Sequence, residues 1–88
     1  MENREIDMRF QVKLFAVARQ VTGLDTIDVC LPDGATVGQL RNELACQSPS
    51  LGPLMPHLMI AVDSNYADDT RTLRAGDEIA CIPPVSGG

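Results

Sequence analysis

Eight consecutive residues, Arg9-Phe10-Gln11-Val12-Lys13-Leu14-Phe15-Ala16, alternate polar and apolar almost without a break. A period of two fits a half-buried strand and no helix. Phe10, Val12, Leu14 and Ala16 are expected on one face; Arg9, Gln11, Lys13 and Phe15 fall on the other. Phe15 is therefore an apolar side chain on a polar face. Residues Asp25 to Leu31 repeat the pattern, with Ile27, Val29 and Leu31 inward and Asp28 and Cys30 outward. The two runs are joined through Val17–Gly23, expected to be a loop with one helical turn, and together they predict a hairpin.

Pro32-Asp33-Gly34 closes the second run as a turn. Thr36 and Gln39 then stand three residues apart, the spacing at which each side chain satisfies the other's free backbone N–H at a helix start. Val37, Leu40 and Leu44 supply the apolar stripe. Ser48-Pro49 stops the helix near Cys46 or Gln47. Residues 48–56 hold three prolines and a glycine and are expected to form a loop. Leu58 to Val62 reads as a buried strand, and Asp63 to Arg74 as an irregular polar segment with one short strand around Tyr66. Glu78 to Ile82 is the last strand, after a turn at Ala75-Gly76-Asp77. The order predicts an α+β fold: a mixed sheet of four to five strands packed on one main helix. The domain is expected to span residues 8–82, after a disordered lead-in over residues 1–7.

Composition narrows the function. At 88 residues the chain has room for one domain and no interlobe cleft. Twelve Asp and Glu against seven Lys and Arg leave a net charge of −5, so the basic footprint of a nucleic-acid binder is missing. A basic partner surface suits such a chain better. No apolar run reaches the length of a membrane span. Three cysteines without a CxxC motif favour neither a disulfide framework nor a zinc site, and a cytoplasmic location is expected. Cys81 falls on the inward register and is expected to act as a small core hydrophobe; Cys30 and Cys46 carry no mark of a reactive thiol. Isolated His57 and the pair Asp68-Asp69 give no metal site.

The last strand runs into Pro83-Pro84-Val85-Ser86-Gly87-Gly88. Two prolines fix two φ angles and favour an extended exit from the sheet. Val85 and Ser86 are small, and the final glycines present bare backbone. Residues 83–88 are thus expected to be a thin tail able to thread a narrow channel. Its reactive group is the Gly88 carboxylate, which needs activation to become an electrophile. No P-loop or GxGxxG motif is present to bind a nucleotide, so a separate ATP-using enzyme must activate it.

The strings Val12-Lys13-Leu14-Phe15-Ala16, Gly34-Ala35-Thr36-Val37, Ala61-Val62 and Gly76-Asp77-Glu78-Ile79-Ala80, followed by Ile82-Pro83-Pro84-Val85-Ser86-Gly87-Gly88, resemble the small subunits of molybdopterin synthases, a family of ubiquitin-like sulfur carriers. The resemblance runs from about Met8 to Gly88. It implies the β-grasp fold and a cytoplasmic heterotetramer with a large subunit. It also implies a reaction cycle. An E1-like enzyme adenylates Gly88, a sulfur donor system converts it to a thiocarboxylate, and the tail enters the large subunit to give sulfur to a pterin precursor of the molybdenum cofactor. By the same resemblance, the chain itself is expected to bind no cofactor or metal and to supply no catalytic side chain. Phe15, Tyr66 and Ile82 match a partner-binding patch. Asp63 stands where the family usually has Asn, which puts the local loop geometry in question. Two alternatives use the same features: a carrier for thiamine or tRNA thiolation or a ubiquitin-like modifier, and an interaction domain with an inert tail.

Overall fold

The computed structural model describes residues 7–83. Five strands and two α-helices follow one another as β1 (Asp7–Leu14), α1 (Val17–Thr22), β2 (Thr26–Pro32), α2 (Val37–Gln47), β3 (Met59–Val62), β4 (Asn65–Ala67) and β5 (Ile79–Ile82). The strands form one mixed sheet in the order β2-β1-β5-β3-β4. β1 pairs antiparallel with β2 and parallel with β5, while β3 pairs antiparallel with both β4 and β5. One helix against one face of such a sheet is the expected β-grasp arrangement.

Period-two patterning sets the register. Along β1 every second side chain is buried, Met8, Phe10, Val12 and Leu14. Val12 lies between Ile27 on β2 and Ile79 on β5, so one apolar row crosses three strands. Val37, Leu40 and Leu44 of α2 are fully buried against this inner face, and no polar or charged residue among those described is buried. With no tryptophan in the chain, the core is mostly aliphatic. A one-residue slip of any strand would expose its whole apolar set.

The first strand is shifted from its expected position. Asp7, assigned to the lead-in, opens β1 opposite Pro32; residues 1–6 lie outside the described range. At the other end β1 stops at Leu14, and Ala16 is exposed rather than inward. The chain turns at Phe15-Ala16-Val17-Ala18, where Ala18 N donates to Phe15 O at 3.2 Å. Ala16 has φ 52° and ψ −123°, the first central position of a type II′ turn, which glycine normally fills. The following segment is a six-residue helix, not a loop. Buried Ala18 anchors it, and left-handed Gly23 closes it by donating to Arg19 O at 2.8 Å.

The α2 start is as expected. Thr36 Oγ1 accepts from Gln39 N, and Thr36 N donates to Gln39 Oε1 at 2.9 Å. The polar segment after β4 completes the cap, since Val37 N donates to Arg71 O and Gly38 N to Asp69 O. These bonds satisfy the orphan donors of the first turn. Arg41 fastens the same strap: its Nε donates to Asp69 Oδ1 at 2.7 Å, and its guanidinium also donates to Met55 O at 2.8 Å. Residues 48–56 form no plain loop. They contain a 3-10 turn at Pro49–Leu51 and enter another at Met55–His57, with Leu51 and Met55 plugged into the core.

Candidate functional site

The outer face of the sheet carries the site. Its central row, set by strand pairing, reads Thr26, Lys13, Ala80, Ala61, Tyr66 across all five strands. Ala61 and Ala80 are directly paired on β3 and β5, so two methyl groups form a low floor. Larger side chains rise around it, leaving a hollow of about 420 Å³. Phe15, Ile82 and Tyr66 all line this hollow, as do Lys13 and Glu78. The three apolar residues come from separate stretches of the chain, and the fold brings them onto one surface. Phe15 is 44% exposed and Tyr66 57%, while Ile82 is half-buried.

Each wall is held by backbone geometry. Phe15 lies one residue beyond β1, yet its N–H still donates to Cys81 O at 3.2 Å, keeping it beside Ile82. Ile82 pairs with Met59 across β3 and precedes half-buried Pro83. Tyr66 is set by the β3–β4 hairpin, whose two-residue loop is Asp63-Ser64 with φ 50° and 71°. Positive φ at both central residues gives the twist that a tight hairpin needs. Asp63 also ties the hairpin to β5: its N–H donates to Glu78 O at 2.8 Å and its Oδ1 accepts from Glu78 N at 2.9 Å. An Asn could offer the same oxygen and also tolerates this backbone, so the expected departure from the family pattern keeps the loop geometry.

Other candidates fall away from this face or have structural work. Cys81 is fully buried under the sheet; burial pushes its thiol up to about 11, against the opposing charge of Arg41. It is a core residue and no nucleophile at neutral pH. Cys30 and Cys46 are exposed and unpaired with each other. Asp68 Oδ1 accepts from Thr70 N and Oγ1, closing a turn, and Asp69 is engaged by Arg41. Among the described residues no group of three or more His, Cys, Asp or Glu side chains is arranged to hold a metal ion. A larger hollow of about 640 Å³ lies beside α2, but four of its polar lining residues, Thr36, Gln39, Arg41 and Asp69, bond one another or the backbone. It is the seam between helix and strap.

Phe15, Tyr66 and Ile82 are marked in the sequence, and the floor is not. The only signal for the floor is that Ala61 and Ala80 are small apolar residues on an outward register. The expected tail residues Pro84, Val85, Ser86, Gly87 and Gly88 lie outside the described residues. What the structure does give is its point of departure: β5 ends at Ile82 on the rim of the hollow. Among the described residues no helix is long and apolar enough to cross a membrane.

Comparison with known proteins agrees with this geometry. The chain is 35% identical over 81 residues to a molybdopterin synthase sulfur carrier subunit of Arabidopsis thaliana, covering 92% of this chain and 84% of that one. Its structure matches that of SAMP1 from Haloferax volcanii with a TM-score of 0.81 and 32% identity, covering 91% of this chain and 99% of the other. The fold also matches a chain from a complex of subunits 1 and 2 of the molybdopterin-converting factor of Helicobacter pylori, with a TM-score of 0.65, 22% identity and coverage of 92% and 100%. Residues 12–88 match the ThiS family, and the chain belongs to that family.

Proposed function

We propose that this chain is the sulfur-carrying small subunit of a molybdopterin synthase, acting through the carboxylate of Gly88. The observation that carries the reading is the assembly of Phe15, Tyr66 and Ile82 around one hollow on the strand that leads into Pro83-Pro84-Val85-Ser86-Gly87-Gly88. A carrier needs a surface for its enzymes and a reactive group offset from that surface. Here the surface includes Ile82, and Gly88 follows it six positions later in the sequence.

The chemistry follows from the carboxylate. Adenylation by an E1-like partner joins the Gly88 oxygen to AMP and expels pyrophosphate from ATP. Sulfide sulfur then forms the carbonyl–sulfur bond as AMP leaves, giving a thiocarboxylate. In the large subunit the sulfur bonds to the pterin precursor, and water then cleaves the carbonyl–sulfur bond, leaving the sulfur on the precursor and returning Gly88 to a carboxylate. This chain supplies the docking face, the thin backbone of Gly87 and the sulfur. The side chains that move protons belong to the partners. Ordering the tail costs roughly 1–2 kcal/mol per residue, which backbone hydrogen bonds in a partner channel would offset, as in strand addition.

The testing experiment is reconstitution with the large synthase subunit and pterin precursor. The Gly88 thiocarboxylate form is expected to support dithiolene formation, and the carboxylate form to support none. Equal product from both would overturn the reading. Resemblance to SAMP1 favours a second reading in which the same activated Gly88 is joined to a protein amine. Conjugates that form without any sulfur transfer would select it.

A further inference from the structure

Lys13 is the only lysine in the chain, and it lies inside the hollow between Phe15 and Ala80. Its directly paired neighbours on the outer face are Thr26 and Ala80, neither of them acidic. Two of the arginines are committed elsewhere: Arg19 pairs with Asp25 at 3.1 Å and Arg41 with Asp69 at 2.7 Å. The one other charged residue lining the hollow is Glu78, whose backbone N–H and carbonyl bond Asp63. Against a net charge of −5, a single lysine beside the apolar Phe15, Ala61 and Ala80 of this hollow stands out.

A protein that covers Phe15, Ile82 and Tyr66 together must also cover Lys13, because Lys13 shares their hollow. An ammonium taken out of water without a counter-charge weakens binding, and a carboxylate set against it offsets that cost. A surface with a cation at that point would meet like charge and be rejected.

We propose that Lys13 is a specificity-determining contact of the outer sheet face. The partner surface it selects sets an apolar side chain on the Ala61–Ala80 floor and an Asp or Glu carboxylate against the Lys13 ammonium. The inference rests on the reading of this face as a docking surface and adds the charge pattern of the occupant.

The test measures binding of the full chain to the large synthase subunit by calorimetry. The variants are Lys13→Arg, Lys13→Met and Lys13→Glu, with Phe15→Asp and Ile82→Asp as controls on the face itself. Thermal unfolding of each confirms that the fold is kept; Lys13 is exposed, so its variants lose no core packing. Lys13→Arg is expected to bind within about threefold of the unaltered chain, Lys13→Met about tenfold more weakly, and Lys13→Glu about a hundredfold more weakly. If Lys13→Met and Lys13→Glu bind as tightly as the unaltered chain while Phe15→Asp or Ile82→Asp does not, the carboxylate proposal is wrong and the docking face stands. If the controls also bind normally, the face is not a docking surface and both fail.

Discussion

Replacing Phe15 by Ala separates what the side chain does for the fold from what it offers a partner. A phenylalanine can bury about 200 Å², and Phe15 is 44% exposed, so about 90 Å² remains for a partner to cover. At about 25 cal/mol per Å² that area contributes about 2 kcal/mol to docking. By the usual conversion, losing it weakens affinity about 30-fold. The covered half of the ring supports the fold by at most about 3 kcal/mol, an upper limit because unfolded chains already bury some apolar surface. A small domain with a stability of at least about 5 kcal/mol stays folded after that loss. The assay pairs calorimetric titration against the large subunit with urea unfolding of the free chain. An affinity within about threefold of the unaltered chain, from a variant that remains folded, would refute the area argument, since 2 kcal/mol could not disappear unseen.

Three further outcomes follow from particular contacts. Ala16→Gly relieves a backbone that only glycine adopts freely and is expected to stabilise the fold by about 1 kcal/mol after glycine's extra chain entropy is counted; chemical denaturation checks it, and a loss of stability would contradict the type II′ geometry. Arg41→Met removes two charge-assisted bonds from a side chain only 19% exposed and is expected to cost about 2 kcal/mol in the same assay. Cys81 ionises near 11 in the folded chain against 9.0 for an ordinary thiol. The unfolded chain therefore releases this proton first, so the contribution is fully present below pH 9 and is lost as pH rises towards 11, by up to about 3 kcal/mol. Unfolding across that window is expected to show the loss in the unaltered chain and a smaller one in Cys81→Ala, and identical pH profiles would contradict it.

Much of the fold was legible because burial leaves a period. Phe10 to Leu14 and Ile27 to Leu31 reported their faces residue by residue, and Thr36 with Gln39 marked the start of α2. The same logic misplaced Ala16, because apolar alternation continues two residues past the point where the backbone turns. Helix α1 was too short to show a period. The strap over residues 68–73 works through backbone carbonyls, which side-chain patterns do not reveal. Its two ties to α2 span about thirty positions and depend on tertiary folding.

The site was legible where a residue broke the local rule. Phe15 stood out as an aromatic on a polar register, and the parallel pairing of β1 with β5 set it beside Ile82 as expected. Ala61 and Ala80 break no rule, because alanine is unremarkable on either face of a strand. Their pairing creates the floor, and pairing is a property of the assembled sheet. Lys13 looked like an ordinary solvent-facing residue until its hollow was known.

The most direct test of the account is the intact mass of the chain after co-expression with an E1-like adenylating enzyme and a sulfur donor. The account predicts that one oxygen is exchanged for sulfur, that fragment masses assign the exchange to Gly88, and that it vanishes when Gly87 and Gly88 are removed. A sulfur found instead on Cys30, Cys46 or Cys81, or a chain that stays wholly unmodified beside an active partner, would contradict it.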